Sequence, residues 1–411
     1  MPEQNWAGNL TYRARAVHHP GSIDEVQSLV AGAGRVRALG SRHSFNDIAD
    51  TTGDLIALDR LPSEVTIDAD ARTVTASAGL RYGDLARALH AEGWALGNLA
   101  SLPHISLAGT VATGTHGSGV GNRSLAAAVA ALELVTADGE LRRIRRGDPD
   151  FDGTVVSLGA LGIVTRVTLD IVPAYGIRQT VYVGLPWERA LSELDGLLGS
   201  AYSLSFFTNW AETEIRQVWH KSTADDARAD LLGAAPAVGQ RHPIPGAPAE
   251  FTTQQGGIPG PWHERLPHFK LEFTPSAGEE LQTEYLIPRR FAGEAIVAMR
   301  ELGPRIAHAI QASEVRTFAA DPLWLSGAEG TDVIAFHFTW FKDPDRVLPL
   351  LPQIESALAP FGARPHWGKL FAGTGEHIRS LYPRFRDFAA LRDRLDPDRK
   401  FDNDYLRRIF G

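Results

Sequence analysis

The stretch Arg35-Val-Arg-Ala-Leu-Gly-Ser-Arg-His-Ser-Phe-Asn46 says most about the fold of this chain. Its apolar start predicts a strand ending at Gly40, and a polar turn follows in which His43 stands between two serines. Glycine adopts backbone angles that other residues avoid, and successive backbone N–H groups in such a turn bind phosphate groups. Taken alone, the turn is more typical of an ordinary strand end.

A second run of small residues follows about 70 residues later: Ala108-Gly-Thr-Val-Ala-Thr-Gly-Thr-His-Gly-Ser-Gly119. Two such loops in one N-terminal region indicate a long, doubly charged nucleotide cofactor that is held mainly by the main chain.

The composition indicates a globular protein and argues against nucleic acid or a membrane as the main partner. The length of 411 residues suits two domains, and a composition of 44% hydrophobic and 22% charged residues is typical of a globular protein. The net charge of −8 argues against nucleic acid or an anionic membrane as the main partner. There is no cysteine, which excludes disulfides, thiolate nucleophiles and iron–sulfur clusters, and no metal site is predicted.

The N-terminal residues, Met1-Pro-Glu-Gln-Asn-Trp-Ala-Gly, lack the basic and apolar regions of a signal peptide. No stretch approaches the ~18–20 apolar residues that a membrane span requires. We therefore expect a soluble, cytoplasmic protein.

Periodicity predicts mixed helices and strands up to Pro173. A helix is expected over Gly21–Val30, with Ser22 and Glu25 as a capping box, and another over Tyr82–Leu89. Strands are expected over Arg35–Leu39, Leu55–Leu58, Val65–Asp68, Thr73–Ser77, Ala130–Val135 and Ile163–Val172. Beyond Pro173 the pattern predicts longer strands and two helices, Trp187–Leu198 and Arg290–Leu302, with a loop rich in proline, glycine and alanine over Ser222–His263. The fold class is α+β.

Three strands of the second half carry polar residues on one face. Because residues i and i+2 share a face of a strand, His337 and Thr339 lie together, as do Glu314 and Arg316, and Gln282 and Glu284. If these strands are neighbours, one sheet face presents a wall of alternating donors and acceptors. Such a wall suits a polyhydroxylated ligand, because each buried hydroxyl needs a partner. The alternative is the solvent-facing side of an antiparallel sheet.

The segment Arg364-Pro-His-Trp-Gly-Lys-Leu-Phe371 places one of only five lysines among apolar and aromatic residues. Burial disfavours the ammonium form of Lys369 and suits the side chain to proton handling. The alternative is that it extends to solvent. His366 and Trp367 are expected to pack and orient.

The two loops, in this order and spacing, resemble the flavin-binding domain of the vanillyl-alcohol oxidase and p-cresol methylhydroxylase (PCMH) superfamily. The resemblance implies bound FAD, attached covalently through His43. Many relatives have a small residue where this chain has Arg42, so that side chain must point away from the cofactor. The residues that the resemblance implies for cofactor binding are Ala38, Leu39, Gly40, Ser41, Arg42, His43, Ser44, Ser101, Ser106, Gly109, Thr113, Gly114, Thr115, His116, Ile163 and Asn403.

The His-Trp-Gly-Lys motif, the first loop and the segment Leu395–Asn403 are similar to the branch that contains sugar-lactone oxidoreductases and alditol oxidases. The alditol oxidases are matched best, through Ala100–Ser106, Glu314–Arg316, His337–Thr339 and Pro365–Lys369. The resemblance implies that Lys369, His337 and Arg316 are catalytic. It implies that substrate is bound by Ser101, Gln282, Glu314, Arg316, Thr339 and Lys369.

The expected architecture is therefore a PCMH-type FAD-binding domain over residues 1–175 and a substrate-binding cap domain over 176–365. The cap is expected to be an antiparallel sheet with flanking helices, and residues 366–411 to return to the FAD domain. The expected function is oxidation of the terminal primary alcohol of alditols such as xylitol and sorbitol to the aldose, with reduction of O2 to H2O2. The alternative is an aldonolactone oxidase or dehydrogenase. The expected partners are the polyol and O2, and the protein is expected to be a monomer.

Overall fold

The computed structural model describes residues 3–223, 231–273 and 278–411. Residues 224–230 of the proline-rich loop lie outside the described residues. The fold is α+β, as the sequence predicts, and is organised around two large hydrophobic cores.

The first core lies under two sheets. A small parallel sheet has the order Ala16–His18, Asp54–Ala57, Val36–Leu39. An antiparallel sheet has the order Val65–Asp68, Thr73–Ser77, Ile163–Asp170, Val129–Val135, Leu141–Arg145. The α-helices that pack here are Ile23–Gly32, Tyr82–Ala91, Leu107–Ala112 and Phe151–Val155.

The predicted capping box is half confirmed. The Ser22 side chain accepts from the backbone N–H of Glu25, but the Glu25 carboxylate accepts from Gly21 rather than from Ser22.

The second core lies against one face of a large antiparallel sheet. Its order is Ala235–Pro236, Gly176–Val183, Gln217–Ser222, Ser203–Thr208, Ile310–Phe318, Val333–Phe341, Glu280–Pro288, Arg364–Pro365, and Gly260–Pro261 pairs with the second of these. Its α-helices are Trp187–Ser192, Leu194–Leu198, Ala292–Ile306, Pro344–Val347 and Leu351–Leu358.

Two helix predictions are wrong in their bounds. The helix expected over Trp187–Leu198 is interrupted at Glu193, whose φ of −124° and ψ of 26° leave the helical region. The helix expected to end at Leu302 continues through Pro304 to Ile306, since Leu302 and Ile306 are both buried in the core. Burial there outweighs the hydrogen bond that proline cannot donate.

The C-terminal segment returns to the first core. Its helices Gly375–Leu381, Phe385–Leu395 and Asp404–Phe410 bury Ile378, Phe388 and Leu406 there. Trp262 and Trp324 also join this core although both lie within 176–365, so the two cores do not divide at single points of the chain.

The remaining short elements are two-stranded pairs and 3-10 turns. The pairs are Trp94–Ala95 with Val172–Pro173 and Leu185–Pro186 with Glu214–Ile215. The turns are Asp47–Ala49, Leu125–Ala128, Ala249–Phe251, Trp262–Glu264, Arg289–Phe291, Ala307–Ala309, Leu348–Leu350 and Ala359–Phe361. Among the described residues, none of the helices has the length and apolar character needed to cross a membrane.

Candidate active site

A cavity of about 470 Å³ lies between the two halves and is lined by both glycine-containing loops and by the large sheet. The two loops are bonded to each other. The backbone N–H of Ser41 donates to Ser106 Oγ at 3.3 Å, and that of Ser106 donates to Ser41 Oγ at 3.2 Å. A Cβ at Gly40 would lie 2.6 Å from Ser106 Oγ, so a larger residue would displace the hydroxyl that accepts from the Ser41 N–H. The two motifs noted in the sequence therefore form one cleft.

His43 lies in the wall of this cleft. Its ring stacks on Trp6 with centroids 5.0 Å apart, and Nδ1 is 3.0 Å from the carbonyl oxygen of Ser41. Burial lowers the pKa of His43 to about 4, so the imidazole is neutral near pH 7. Arg42 has a φ of +65° and its guanidinium pairs with Glu3, which gives the large side chain a partner of its own.

The three polar strands are adjacent, with Val333–Phe341 in the centre. His337 stands opposite Glu284 on one side and Glu314 on the other, and Thr339 stands opposite Gln282. Phe336 and Phe338 on the reverse face are buried in the second core. The sheet face that the sequence indicated is thus a cavity wall rather than a solvent surface, and its members all line the cavity: Gln282, Glu284, Glu314, Arg316, His337 and Thr339.

Arg316 is the cation of the wall. One guanidinium nitrogen donates to Glu284 Oε1 at 2.8 Å, and the other donates to Ser101 Oγ at 3.0 Å and lies 3.6 Å from Glu314 Oε2. Burial opposes the charge of Arg316, but the two carboxylates outweigh it and raise its pKa. Burial likewise opposes ionisation of Glu284 and Glu314, yet Arg316 and the facing histidines hold the pKa of both well below the usual range.

Gln282 connects Lys369 with His337. Its amide nitrogen donates to Glu280, so its Oε1 faces the other two side chains and accepts from both. His337 Nε2 therefore carries the proton of that 3.1 Å bond, and its Nδ1 keeps a lone pair. Burial, with a further contribution from the Lys369 cation, lowers the pKa of His337 to about 3. The result is a neutral histidine next to a lysine.

Lys369 is half-buried at the end of a segment that runs beside the wall, and its Nζ donates to Gln282. The N–H of His366 donates to Glu284 O at 2.9 Å, and Nζ of Lys369 lies 5.0 Å from the centroid of the Phe45 ring. Burial lowers the pKa of Lys369 to about 8. The alternative that Lys369 extends to solvent is wrong. His366 Nδ1 accepts from the Gly368 N–H and Trp367 donates to Leu325 O, which are the orienting and packing roles expected.

The first loop and the Lys369 segment are also joined, which the sequence did not indicate. The Asn46 amide donates to the carbonyl oxygens of Trp367 at 2.8 Å and Lys369 at 2.7 Å. The Phe45 N–H donates to Gly368 O.

Three residues expected at the cofactor do not line the cavity. Asn403 caps the last helix and donates to the carbonyl oxygens of Asp47, Ile48 and Asp50. Ile163 is buried in the first core, since strand alternation points its neighbours Gly162 and Val164 to the cavity instead. Gly114, with a φ of +66°, only forms the turn between Thr113 and Thr115.

His116 does line the cavity, but its Nε2 lies 3.2 Å from Glu284 Oε1, and its ring stacks on Phe318. It therefore supports the wall. The other residues expected at the cofactor or substrate line the cavity: Ala38, Leu39, Gly40, Ser41, Arg42, His43, Ser44, Ser101, Ser106, Gly109, Thr113, Thr115, Gln282, Glu314, Arg316, His337, Thr339 and Lys369.

Two side chains behind the wall were not singled out from the sequence. His268 lines the cavity and bonds to Glu314, and Lys221 bonds to His268. The scarcity of lysine was the available signal for Lys221. No pattern in the sequence marked His268.

The chain is similar in sequence to known proteins over nearly its whole length. Residues 14–145 match the family model of an FAD-binding domain, and residues 278–409 match that of D-arabinono-1,4-lactone oxidase. The chain is 51% identical to an alditol oxidase of Streptomyces sp. over 408 residues, which are 98% of each chain. It is 32% identical to L-gulono-1,4-lactone dehydrogenase of Mycobacterium tuberculosis, over 99% of this chain and 98% of the other.

Among solved structures, cholesterol oxidase from B. sterolicum has a TM-score of 0.81 with 14% identity, over 100% of this chain and 96% of the other. At that identity the likeness shows the fold alone.

Proposed function

Because the chain belongs to the family of the alditol oxidases, we propose that it is an FAD-dependent oxidase of alditols. The reaction is oxidation of the terminal primary alcohol of substrates such as xylitol and sorbitol to the aldose, with reduction of O2 to H2O2. The single observation that carries the substrate class is the wall over Gln282, Glu314, Arg316 and Thr339, which lines the cavity with alternating donors and acceptors. An open-chain polyol has a hydroxyl on every carbon and needs such a row, since an unpaired buried hydroxyl costs about 1–3 kcal/mol.

The cleft between the loops fits FAD. The two loops contribute small residues to its lining, and glycines 40 and 109 lie against Ser106, so backbone groups can approach a dinucleotide closely. The residues that would hold the cofactor are those of the first loop from Ala38 to Ser44, with Ser101, Ser106, Gly109, Thr113 and Thr115. When bound, FAD accepts the hydride of the carbinol carbon and is reoxidised by O2.

We propose that FAD is attached covalently through His43. The side chain is neutral, lines the cleft and is held by Trp6 and the Ser41 carbonyl. A neutral imidazole with a nitrogen lone pair is the form that can act as a nucleophile.

The polar side chains of the site have different roles in the removal of the hydroxyl proton and in substrate binding. As hydride leaves the carbon, the substrate oxygen must lose its proton, and His337 is neutral with a free lone pair on Nδ1. Arg316 and Lys369 are cations beside it and stabilise the negative charge that develops on that oxygen. Glu314 accepts hydrogen bonds from substrate hydroxyls farther from the reacting carbon and so fixes the position of the polyol in the site.

An aldonolactone oxidase or dehydrogenase is the second candidate. The match of residues 278–409 to the D-arabinono-1,4-lactone oxidase model favours it. A lactone ring presents a more compact set of hydroxyls and therefore does not require an extended row of hydrogen-bond partners.

A substrate panel separates the two candidates. Steady-state H2O2 formation is measured with xylitol, sorbitol and L-gulono-1,4-lactone at equal concentrations. We expect kcat/KM for both alditols to exceed that for the lactone by at least about tenfold. A higher value for the lactone, or turnover that requires an artificial acceptor in place of O2, would assign the second candidate.

A further inference from the structure

Glu314 is held from behind by a line of buried side chains that the proposed chemistry does not use. His268 Nε2 lies 2.9 Å from Glu314 Oε1, and His268 Nδ1 lies 3.0 Å from Nζ of Lys221. Lys221 is 1% exposed and does not line the cavity, whereas His268 and Glu314 do. Lys221 therefore does not contact the substrate itself, and its side-chain partner on the cavity wall is His268.

The numbers of donors and acceptors determine where the protons lie on Lys221 and His268. Nζ of Lys221 has three acceptors, which are the carbonyl oxygens of Leu266 and Pro267 and Nδ1 of His268. An ammonium has three N–H donors and no lone pair, so each acceptor takes one of them. Nδ1 of His268 must then be an acceptor, and the proton of the neutral ring lies on Nε2, where it donates to Glu314.

The ring is neutral because burial, with a further contribution from the Lys221 cation, lowers the pKa of His268 to about 4. The opposite arrangement, with a neutral Lys221 and the His268 proton on Nδ1, would turn a lone pair toward the Glu314 carboxylate. That carboxylate is charged because Arg316 and His268 hold its pKa low against burial. The charge of Lys221 thus determines whether His268 donates a hydrogen bond to one oxygen of Glu314. That bond in turn orients the other carboxylate oxygen.

We propose that Lys221 is a positioning residue for substrate: through His268 it orients Glu314 and so sets how tightly the distal hydroxyls of a polyol are held, without taking part in hydride transfer. This inference rests on the proposed function, because it concerns the substrate wall of that activity. It predicts that Lys221 affects KM and leaves kcat nearly unchanged.

The first experiment uses the holoenzyme and three variants: Lys221→Met, His268→Phe and the double variant. Steady-state constants are measured at pH 6, because burial lowers the pKa of Lys221 to about 7 and the lysine is charged below that pH. Lys221→Met should raise KM for xylitol and sorbitol at least about tenfold, keep kcat within about threefold and affect a short 1,2-diol less. In the His268→Phe background, Lys221→Met should add nothing, because its path to Glu314 is already removed.

Lys400 supplies the matched control. It also donates to two backbone carbonyl oxygens, those of Val30 and Ala31, and does not line the cavity. Lys400→Met should leave KM unchanged. If Lys221→Met does not fold, the comparison of His268→Gln with His268→Phe serves instead. The amide of glutamine can still donate to Glu314, so His268→Gln should show the smaller rise in KM.

Wild-type KM should also rise between pH 6 and pH 7.5 as Lys221 loses its proton, while KM of Lys221→Met stays at its raised value. The groups that face Lys221 are His268, Glu314, Arg316 and the Trp219 ring, and the two other ionised groups, Glu314 and Arg316, do not titrate in this range.

Equal losses in kcat and 1/KM, additive effects in the double variant, or a flat wild-type KM would overturn the proposal. A wild-type enzyme that turns over no alditol would instead overturn the proposed function, and this inference with it.

Discussion

At the residue scale, the chemistry of the site depends on which buried groups carry charge. His337 and Lys369 share one acceptor, Gln282 Oε1, yet burial leaves one neutral and the other a cation at pH 7. Strand alternation predicted polar faces for His337 and Gln282, and the family resemblance placed Lys369 with His337. The state of each proton could not be predicted, since it depends on burial and on cross-strand partners that only the folded sheet supplies.

Lys369 should matter for the chemical step and not only for binding. Lys369→Met keeps the approximate length and removes the charge, so anaerobic flavin reduction by saturating xylitol should slow by about 10² or more. Stopped-flow absorbance of the flavin measures it. A near-normal rate at saturating substrate would make Lys369 a binding residue only.

The pH dependence of that step follows from the same lysine. The pKa of Lys369 is lowered to about 8, so its charge is present below that pH and is lost as the pH rises through it. The wild-type reduction rate at saturating xylitol should therefore fall between about pH 7 and pH 9, and the rate of Lys369→Met should be flat there. A wild-type rate that rises over this range would show that neutral Lys369 is the proton acceptor.

Polyol length should be read by Glu314. Glu314→Gln removes charge-assisted contacts with distal hydroxyls, so the loss in kcat/KM, expressed as a free energy, should be about 1–3 kcal/mol larger for sorbitol than for a short diol. Steady-state constants for the two substrates give this difference. Equal losses would contradict a wall that binds the distal hydroxyls.

At the scale of the elements, strand positions were predicted well and the connections between elements were not. The alternation in Val333–Phe341 predicted both faces of the central strand, and helix ends were missed where core burial outweighs proline or where a turn at Glu193 breaks the period. Asn46 and Asn403 make long-range contacts that sequence patterns do not predict. Each bonds backbone carbonyls more than 300 residues away in the chain.

Arg37 should be the strongest of these connections. Its buried guanidinium donates to four backbone carbonyl oxygens, of Ile48, Leu158, Gly159 and Phe401, and so joins the strand Val36–Leu39 to the C-terminal segment. Arg37→Met leaves all four unpaired and should lower the free energy of unfolding by about 3–5 kcal/mol. Denaturant unfolding checks it, with Arg60→Met at an exposed arginine as the control. Equal stabilities would mean that the carbonyls find other partners.

At the scale of the whole molecule, two cores meet at one cavity, and each supplies half of the site. The FAD cleft belongs to the first core and the substrate wall to the sheet over the second, with Lys369 on the segment that returns between them. The two loops and the three strands predicted both halves. Their meeting could not be predicted from periodicity, because it depends on contacts such as those of Asn46 with the Lys369 segment.

Covalent attachment of the cofactor tests the first half. In the wild type, flavin absorbance should stay with the chain after acid precipitation, because a bond to His43 survives unfolding. In His43→Ala the flavin should appear in the supernatant or be absent. Free flavin released from the wild type would contradict the covalent bond while leaving FAD binding itself intact.

The central claim is that this cavity oxidises an open-chain polyol and then uses O2. The most direct measurement is anaerobic mixing of the oxidised enzyme with xylitol or with L-gulono-1,4-lactone, followed by admission of O2. We predict that xylitol bleaches the flavin and does so faster than the lactone. We also predict that O2 restores the yellow form and yields about one H2O2 per flavin, the stoichiometry of a two-electron oxidase. Faster bleaching by the lactone, or a flavin that stays reduced in air-saturated buffer, would contradict the account.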